Sequence, residues 1–532
     1  MADAGLNPPP PSFETLYMQT TKEWNCMVAT WLVILIGLGV RLAVSTQFLL
    51  VPDEANYWQW SRYLALGYHD HPPMIAWTIR LCTQIFGQTE FAVRLPTVLG
   101  MAVTSFYLCL LAARWFSCRC AFHVALLTQG VLLFNGASLI ATPDGLLLPC
   151  WAAACYHGAM ALSNRSPGQW LMTGLWFGLG LLSKYTMLLF LPSLFFCMLA
   201  VPSYRKQLAT AWPWLGLFSG LLLFTPVLIW NSENGWATFR HVLYQGGVDD
   251  SKLLTLRYVG DYLGEQLLLL SPLFFILLVV SWVSGKTRQR LGREDSAFLI
   301  WMSATTFFIF LVLSFHVRIY GNWPATGYLS GVILLAAMYS PGQAGTRPRT
   351  TRLWNIALLL AYLMTIPVLM QAVYPILPLP IKLDRIARET AGWDTLAAEV
   401  DSVVRSMPSP EKTFIFGLRY QQASELAFYM PGQPKTVSIN KWTRPNVYDY
   451  WFDDSMVLGR DGVGVYEWKG MEQYLAPLFD HIDPPQEINL YRTSPWLGEQ
   501  LVQTLYIIRG YGFKGSLRWQ PQKKDDVRVS TR

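Results

Sequence analysis

Eleven stretches of this chain are almost free of charge and each about twenty residues long, the length at which a helix crosses ~30 Å of hydrocarbon. They run 26–51, 91–113, 121–141, 146–162, 170–183, 186–201, 212–230, 263–283, 297–315, 324–339 and 353–374. Inside a bilayer no water can satisfy backbone N–H and C=O groups, so segments of this kind fold as helices. Composition agrees: 52% of residues are hydrophobic and 14% charged, against about a quarter charged in ordinary soluble domains. The chain reads as a polytopic α-helical membrane protein, not a soluble enzyme.

The flanking charges orient it. Residues 1–25 are polar and Pro-rich and carry Glu14, Lys22 and Glu23. They lack the basic start and small-residue cleavage site of a signal peptide, so the first apolar stretch is expected to be a retained helix. With the N-terminus in the cytoplasm, the cytoplasmic loops hold Arg114, Arg119, Arg165, Arg205, Lys206, Lys286, Arg288, Arg290, Arg293, Arg347, Arg349 and Arg352 against Glu294 and Asp295. The opposite loops are mixed: Asp53, Glu54, Arg62 and Asp70 in one, Glu233, Arg240, Asp249, Asp250, Lys252, Arg257 and Asp261 in another. This is the positive-inside pattern. It accounts for the net charge of +7 without a nucleic-acid partner. All eight cysteines lie in the apolar half, which argues against a secreted disulfide framework. Cys118-Arg-Cys120 lacks zinc-site spacing and reads as a helix end.

An odd number of spans places the C-terminus outside. The division expected is a polar cytoplasmic N-terminus (1–25), a transmembrane domain (26–374) and an external α/β domain (375–532). In the last, "TFIFGL" reads as a buried strand, "YQQASELAFYM" as an amphipathic helix and "PGQPKTVSI" as a turn entering a strand.

On that topology the unusual polar residues share the outer side. Asp53 and Glu54 end the first segment, and His69, Asp70 and His71 follow in the same loop. Asp144 ("ATPDGLLL"), Lys184 ("LLSKYT"), and His316, Arg318 and Asn322 ("SFHVRIYGNWPA") lie at later outer turns. Ionisable groups at a membrane boundary are costly unless paired or wetted, so their clustering points to a cavity. Each has a plainer reading: a helix cap for Asp144, a snorkelling side chain for Lys184, an interfacial anchor for Arg318, loop decoration for His69. Two adjacent carboxylates exceed what a cap needs. Arg41, inside the first span, is expected to be buried against a polar group or to snorkel, with no chemistry.

An Asp-Glu pair at the outer end of the first span, followed by "GYHDHPP", resembles the GT-C-fold glycosyltransferases that use polyprenyl-phosphate sugars. Relatives include protein O-mannosyltransferases, the lipid A aminoarabinose transferase and the lipopolysaccharide galacturonosyltransferases. "DEANYW" and "YHDHPPMIAW" look most like the last group, and "RYQQASELAFYMPGQPKTVSI" like their C-terminal domain. The resemblance implies a GT-C fold of about 11–13 transmembrane helices with a C-terminal soluble α/β domain. It implies catalytic roles for Asp53, Glu54 (which more readily shapes the loop) and Asp144. It implies donor-phosphate binding by Lys184, Arg318 and His71, and a metal-binding or loop-shaping role for Asp70 and His316. Asn56 departs from the Arg of the lipid A enzyme, and His71 from its Lys, which makes that phosphate grip weaker and pH-sensitive.

The chemistry implied is transfer of a sugar from a polyprenyl-phosphate donor to an envelope acceptor: lipid A or lipopolysaccharide, another glycan, or a protein. Asp53 would act as base on the acceptor hydroxyl, with inversion, at the periplasmic side of a bacterial inner membrane. No cofactor is fixed by the resemblance; a divalent metal (zinc, magnesium or manganese) on Asp53, Asp144, Asp70 and His71 is open, because a phosphate clamp explains the same residues. The rivals are a flippase or transporter of lipid-linked sugars, which inverted repeats would favour, and a membrane-anchored receptor, for which eleven spans are excessive.

Overall fold

The computed structural model describes residues 13–246, 255–343, 345–439 and 445–517, with the backbone alone for 13–22. Asp249, Asp250 and Lys252 of the second outer loop, and Glu14 and the side chain of Lys22 near the N-terminus, lie outside the described residues.

Helix α1 (Phe13–Val44) leads to two helices too short to span, α2 (Pro52–Arg62) and α3 (Met74–Phe86). Then come α4 (Glu90–Trp115), the bent pair α5 (Cys118–Gly130) and α6 (Leu132–Leu139), α7 (Pro143–Asn164) and α8 (Pro167–Ser183). Among the described residues, five helices are long and apolar enough to cross a membrane, and up to nine crossings result if each of four bent pairs is one span. With α8 and the short helix Ala325–Tyr339, these cover the eleven apolar stretches. The chain is a multi-pass membrane protein.

The bends were not expected, and they have local causes. The stretch 263–283 turns by 108° between Arg257–Leu270 and Pro272–Val283. There Ser271 takes φ 88° and Pro272, which has no N–H to give, starts the next helix. Elsewhere helices approach closely through glycine. A Cβ on Gly178 would sit 2.7 Å from the Gly220 carbonyl, so α8 and Trp212–Leu223 pack backbone to backbone there. Arg41 is buried inside the bundle, donating to Gln129 (2.5 Å), Ser138 (2.9 Å) and Asn135 (3.0 Å).

The C-terminal domain is a sheet of β1 (Phe414–Gly417), β2 (Thr436–Ser438), β3 (Gly462–Tyr466), β4 (Phe479–Ile482), β5 (Gln486–Ser494) and β6 (Gly498–Phe513). The order is β2-β1-β3-β6-β4, with β5 pairing elsewhere along the long β6. β1 pairs parallel with both β2 and β3, while β6 runs antiparallel to its partners. The three sequence motifs fall on β1, the helix Tyr420–Tyr429, and the turn into β2.

That helix seats the domain on the membrane half. One apolar core contains Leu50, Trp58 and Ile75 together with Phe416, Phe428 and Tyr448. Trp58 meets Phe428 edge-on at 4.9 Å, and the Tyr429 hydroxyl accepts from Leu50 N at 2.7 Å. Gln59 donates to Thr436 and Tyr448, each at 3.2 Å. So α2, although polar in sequence, is buried over most of its residues.

Glu425 lies in this seam, fully buried, with no hydrogen-bond partner at either carboxyl oxygen. Burial first, and the field of Glu54 second, push its carboxyl well above the usual range. It is therefore protonated in the fold and ionised when unfolded, so stability falls as pH rises above the ordinary glutamate value. Glu425→Gln is expected to raise Tm in detergent, by a margin that grows from about pH 5 to about pH 7. A margin independent of pH would mean that the carboxylate ionises in place.

Candidate active site

The Asp-Glu pair divides its work by geometry. Successive residues on a helix point about 100° apart, so Asp53 and Glu54 at the start of α2 face different surroundings. Glu54 turns inward against Arg94 of α4, at 2.8 Å and 2.6 Å, with both side chains fully buried. Its two oxygens also accept from Ala141 N (2.8 Å) and Val51 N (3.0 Å). Arg94 in turn donates to the carbonyls of Ser45 (2.7 Å), Phe48 (2.8 Å) and Leu49 (2.9 Å). No oxygen of Glu54 is left facing a substrate. The pairing suits the loop-shaping role that the resemblance also implied for Glu54, and its partner Arg94 was missed. A lone arginine early in an apolar span was the signal.

Asp53 faces a cavity. With Asn56, Tyr57 and Trp60 it forms one side of α2, at spacings i, i+3, i+4 and i+7, and these four line a space of about 90 Å³. Asp70, His71, Gln245 and Tyr420 complete the wall. Tyr420, from the C-terminal domain, donates its hydroxyl to Asp53 Oδ1 at 3.2 Å.

Asp144 and Lys184 meet. The Lys184 ammonium bonds both Asp144 oxygens, at 2.8 Å and 2.7 Å, and Asn322 Nδ2 adds a third contact at 2.9 Å. Asp144 sits in the first turn of α7, while Thr142 holds the cap position. Lys184 sits just past the last turn of α8. Each charge thus complements the dipole of its own helix end. Both are buried, so Lys184 does not snorkel. His71 lies within the field of both groups. Burial first, and then the Lys184 charge, press its imidazole down to about 4. Its neutral form is therefore the one that burial and Lys184 favour near neutral pH.

His69 is not loop decoration. It is buried, 3.3 Å from the Tyr450 hydroxyl, with its ring centroid 4.9 Å from that of His241. His241, missed in the sequence, reaches Asp70 Oδ1 through Nε2 at 3.2 Å. The ligand atoms of His69, Asp70 and His241 lie within 4.8 Å of one another. Tetrahedral zinc would hold such atoms ~3.4 Å apart, so two imidazoles and a carboxylate fit after a modest closure. This is not the expected set: Asp144 is engaged by Lys184, and Asp53 and His71 line the neighbouring cavity. On the loop before Ala325–Tyr339, Arg318 is exposed, 5.9 Å from the Tyr320 ring, and His316 is half-buried. Among the described residues, this loop reaches Asp144 through Asn322, not Arg318.

Glu54→Gln is expected to destabilise the protein by about 3–5 kcal/mol, because it leaves Arg94 charged, buried and uncompensated. Thermal unfolding in detergent measures this; a change below about 1 kcal/mol would show that the pair is not the clamp of α2.

Residues 70–230 match a family profile described as dolichyl-phosphate-mannose-protein mannosyltransferase. The chain is 28% identical over 289 residues to the lipid A galacturonosyltransferase RgtD of Rhizobium johnstonii, covering 53% of this chain and 59% of that protein. It is 30% identical over 181 residues to the undecaprenyl phosphate-alpha-4-amino-4-deoxy-L-arabinose arabinosyl transferase of Pseudomonas aeruginosa, covering 31% and 33%. The aligned regions thus span less than two thirds of these relatives' lengths. The structure is similar to that of ArnT from Cupriavidus metallidurans bound to undecaprenyl phosphate, with a TM-score of 0.58 and 14% identity. That likeness covers 92% of this chain and 99% of ArnT. In fold, the chain is a GT-C membrane protein.

Proposed function

We propose that the chain is a glycosyltransferase that moves a sugar from a polyprenyl-phosphate donor to an envelope acceptor, with lipid A or lipopolysaccharide favoured over other glycans or protein. The observation that carries this is a cavity walled by Asp53, Asp70 and His71, with the buried Asp144–Lys184 pair near enough to act on the His71 ring, although Asp53 and Lys184 are 131 residues apart in sequence. An anionic lipid phosphate needs a cation beside it, and the acceptor hydroxyl needs a carboxylate on the opposite side of the anomeric carbon. The names of the relatives support the same substrate classes.

In this reading the donor phosphate competes with Asp144 for Lys184, whose ammonium neutralises the leaving group. His71 and Asn322 then offer hydrogen bonds and no charge. Asp53, held by Tyr420, takes the proton of the acceptor hydroxyl as that oxygen attacks the anomeric carbon and the C–O bond to phosphate breaks. One displacement gives inversion. The basic loops support a bacterial inner membrane with the N-terminus cytoplasmic, and the cavity and C-terminal domain periplasmic.

Asp53→Asn is expected to abolish transfer with Tm unchanged. Lys184→Ala is expected to raise the donor KM by about ten-fold or more. Steady-state assays with an undecaprenyl-phosphate sugar and lipid A check both; full turnover by the Asp53 variant removes the base, and an unchanged KM removes the phosphate contact. A divalent cation, zinc before magnesium or manganese, would be held by His69, Asp70 and His241, where it would offer a Lewis acid beside the cavity. Elemental analysis of purified protein is expected to find the metal in wild type and to lose it in His241→Ala; equal metal in both would remove this site.

A further inference from the structure

Two residues of the cavity wall each carry a buried polar atom with no partner in the fold. Asn56 Oδ1 and Trp60 Nε1 are both buried without a hydrogen bond, on residues 5% and 0% exposed. Buried polar atoms are nearly always satisfied, so two orphans on the wall of one cavity call for a third party. They are four residues apart on α2 and therefore one above the other. One is an acceptor and the other a donor, the complement of a hydroxyl group or of two neighbouring ones.

The Trp60 N–H is not free to seek another partner. The Trp60 ring is stacked on Tyr68 at 4.3 Å and met edge-on by Tyr57 at 4.9 Å, which fixes the direction of its N–H. Tyr68 is held in turn, its hydroxyl bonded to the Trp60 carbonyl at 3.0 Å. The donor is thus held in one orientation on a residue of the cavity wall. The volume suits one ring: about 90 Å³ has room for roughly six waters, the space of a single monosaccharide.

We propose that Asn56 and Trp60 form the subsite for the sugar ring of the donor, with Trp60 N–H donating to one ring hydroxyl and the Asn56 carbonyl accepting from another. This deepens the proposed function and rests on it. The donor ring is favoured over an acceptor ring because the cavity also holds His71, which lies in the field of the Lys184 ammonium where the donor phosphate is placed. A site that hydrogen-bonds particular hydroxyls rejects analogues lacking them more strongly than an apolar pocket can, because its buried polar atoms are then left unpaired. These two residues would therefore set which sugar is transferred.

The test compares equilibrium binding of bare undecaprenyl phosphate with binding of undecaprenyl phosphate bearing a neutral hexose, a hexuronic acid or an aminopentose. Full-length protein in nanodiscs is used, as wild type, Asn56→Ala and Trp60→Phe. Wild type is expected to prefer one glycosylated lipid, and each variant to weaken that lipid about ten-fold with bare undecaprenyl phosphate unaffected. Trp60→Phe keeps the aromatic stack; if its Tm shows misfolding, Asn56→Ala decides alone. Equal loss for the bare and glycosylated lipids, no loss for either, or a loss confined to lipid A binding overturns the subsite. Equal wild-type affinity for bare and glycosylated lipid also overturns it while leaving the lipid-phosphate reading in place. Failure of wild type to bind any of these lipids overturns both.

Discussion

The Glu54–Arg94 pair is the contact on which the cavity depends. Two ions taken out of water are costly to bury, and their attraction offsets this only when the remaining donors and acceptors are also filled. Here they are, by backbone groups from the end of α1, the start of α2 and the turn before α7. The result is a clamp that fixes the rotation of α2 about its axis. Because Glu54 is held inward, Asp53, Asn56, Tyr57 and Trp60 present the opposite side to the cavity. The adjacent carboxylates are thus divided between one that holds the helix and one that faces the cavity.

A second division separates charge from reaction. Lys184 and Asp144 neutralise each other at facing helix ends, beside a cavity whose wall carries Asp53 and Asp70. The Lys184–Asp144 pair is self-compensating in charge. A phosphate entering it would exchange one anionic partner of Lys184 for another. That exchange requires little repacking, because both helix termini stay where the bundle has put them. His71, pressed to its neutral form by burial and by Lys184, then serves as a hydrogen-bonding wall.

Much of this was legible from residue order alone. Apolar length located the helical stretches, and charge asymmetry put Asp53, Asp70, Asp144 and Lys184 on one side before any contact was visible. The pairings were not legible. Arg94 lies forty residues from Glu54, and its place early in an apolar span marks it as unusual without naming its partner. His69 reads as a loop residue because its partner Tyr450 is 381 positions away, and its neighbour His241 sits on an unremarked helix, Ala237–Gln245. The bends failed for a different reason: mean hydropathy is blind to a backbone reversal such as that at Ser271, where the next helix begins at once with equally apolar residues.

The shared core beneath Tyr420–Tyr429 also bears on biosynthesis. Asp53 emerges from the ribosome 367 residues before the tyrosine that completes its surroundings. The membrane half can assemble helix by helix, but the recess that Asp53 lines gains Tyr420 only after the helix Tyr420–Tyr429 has been made and packed. A nascent chain stopped short of that helix would therefore leave an acidic recess uncovered, and its closure would come as a late step.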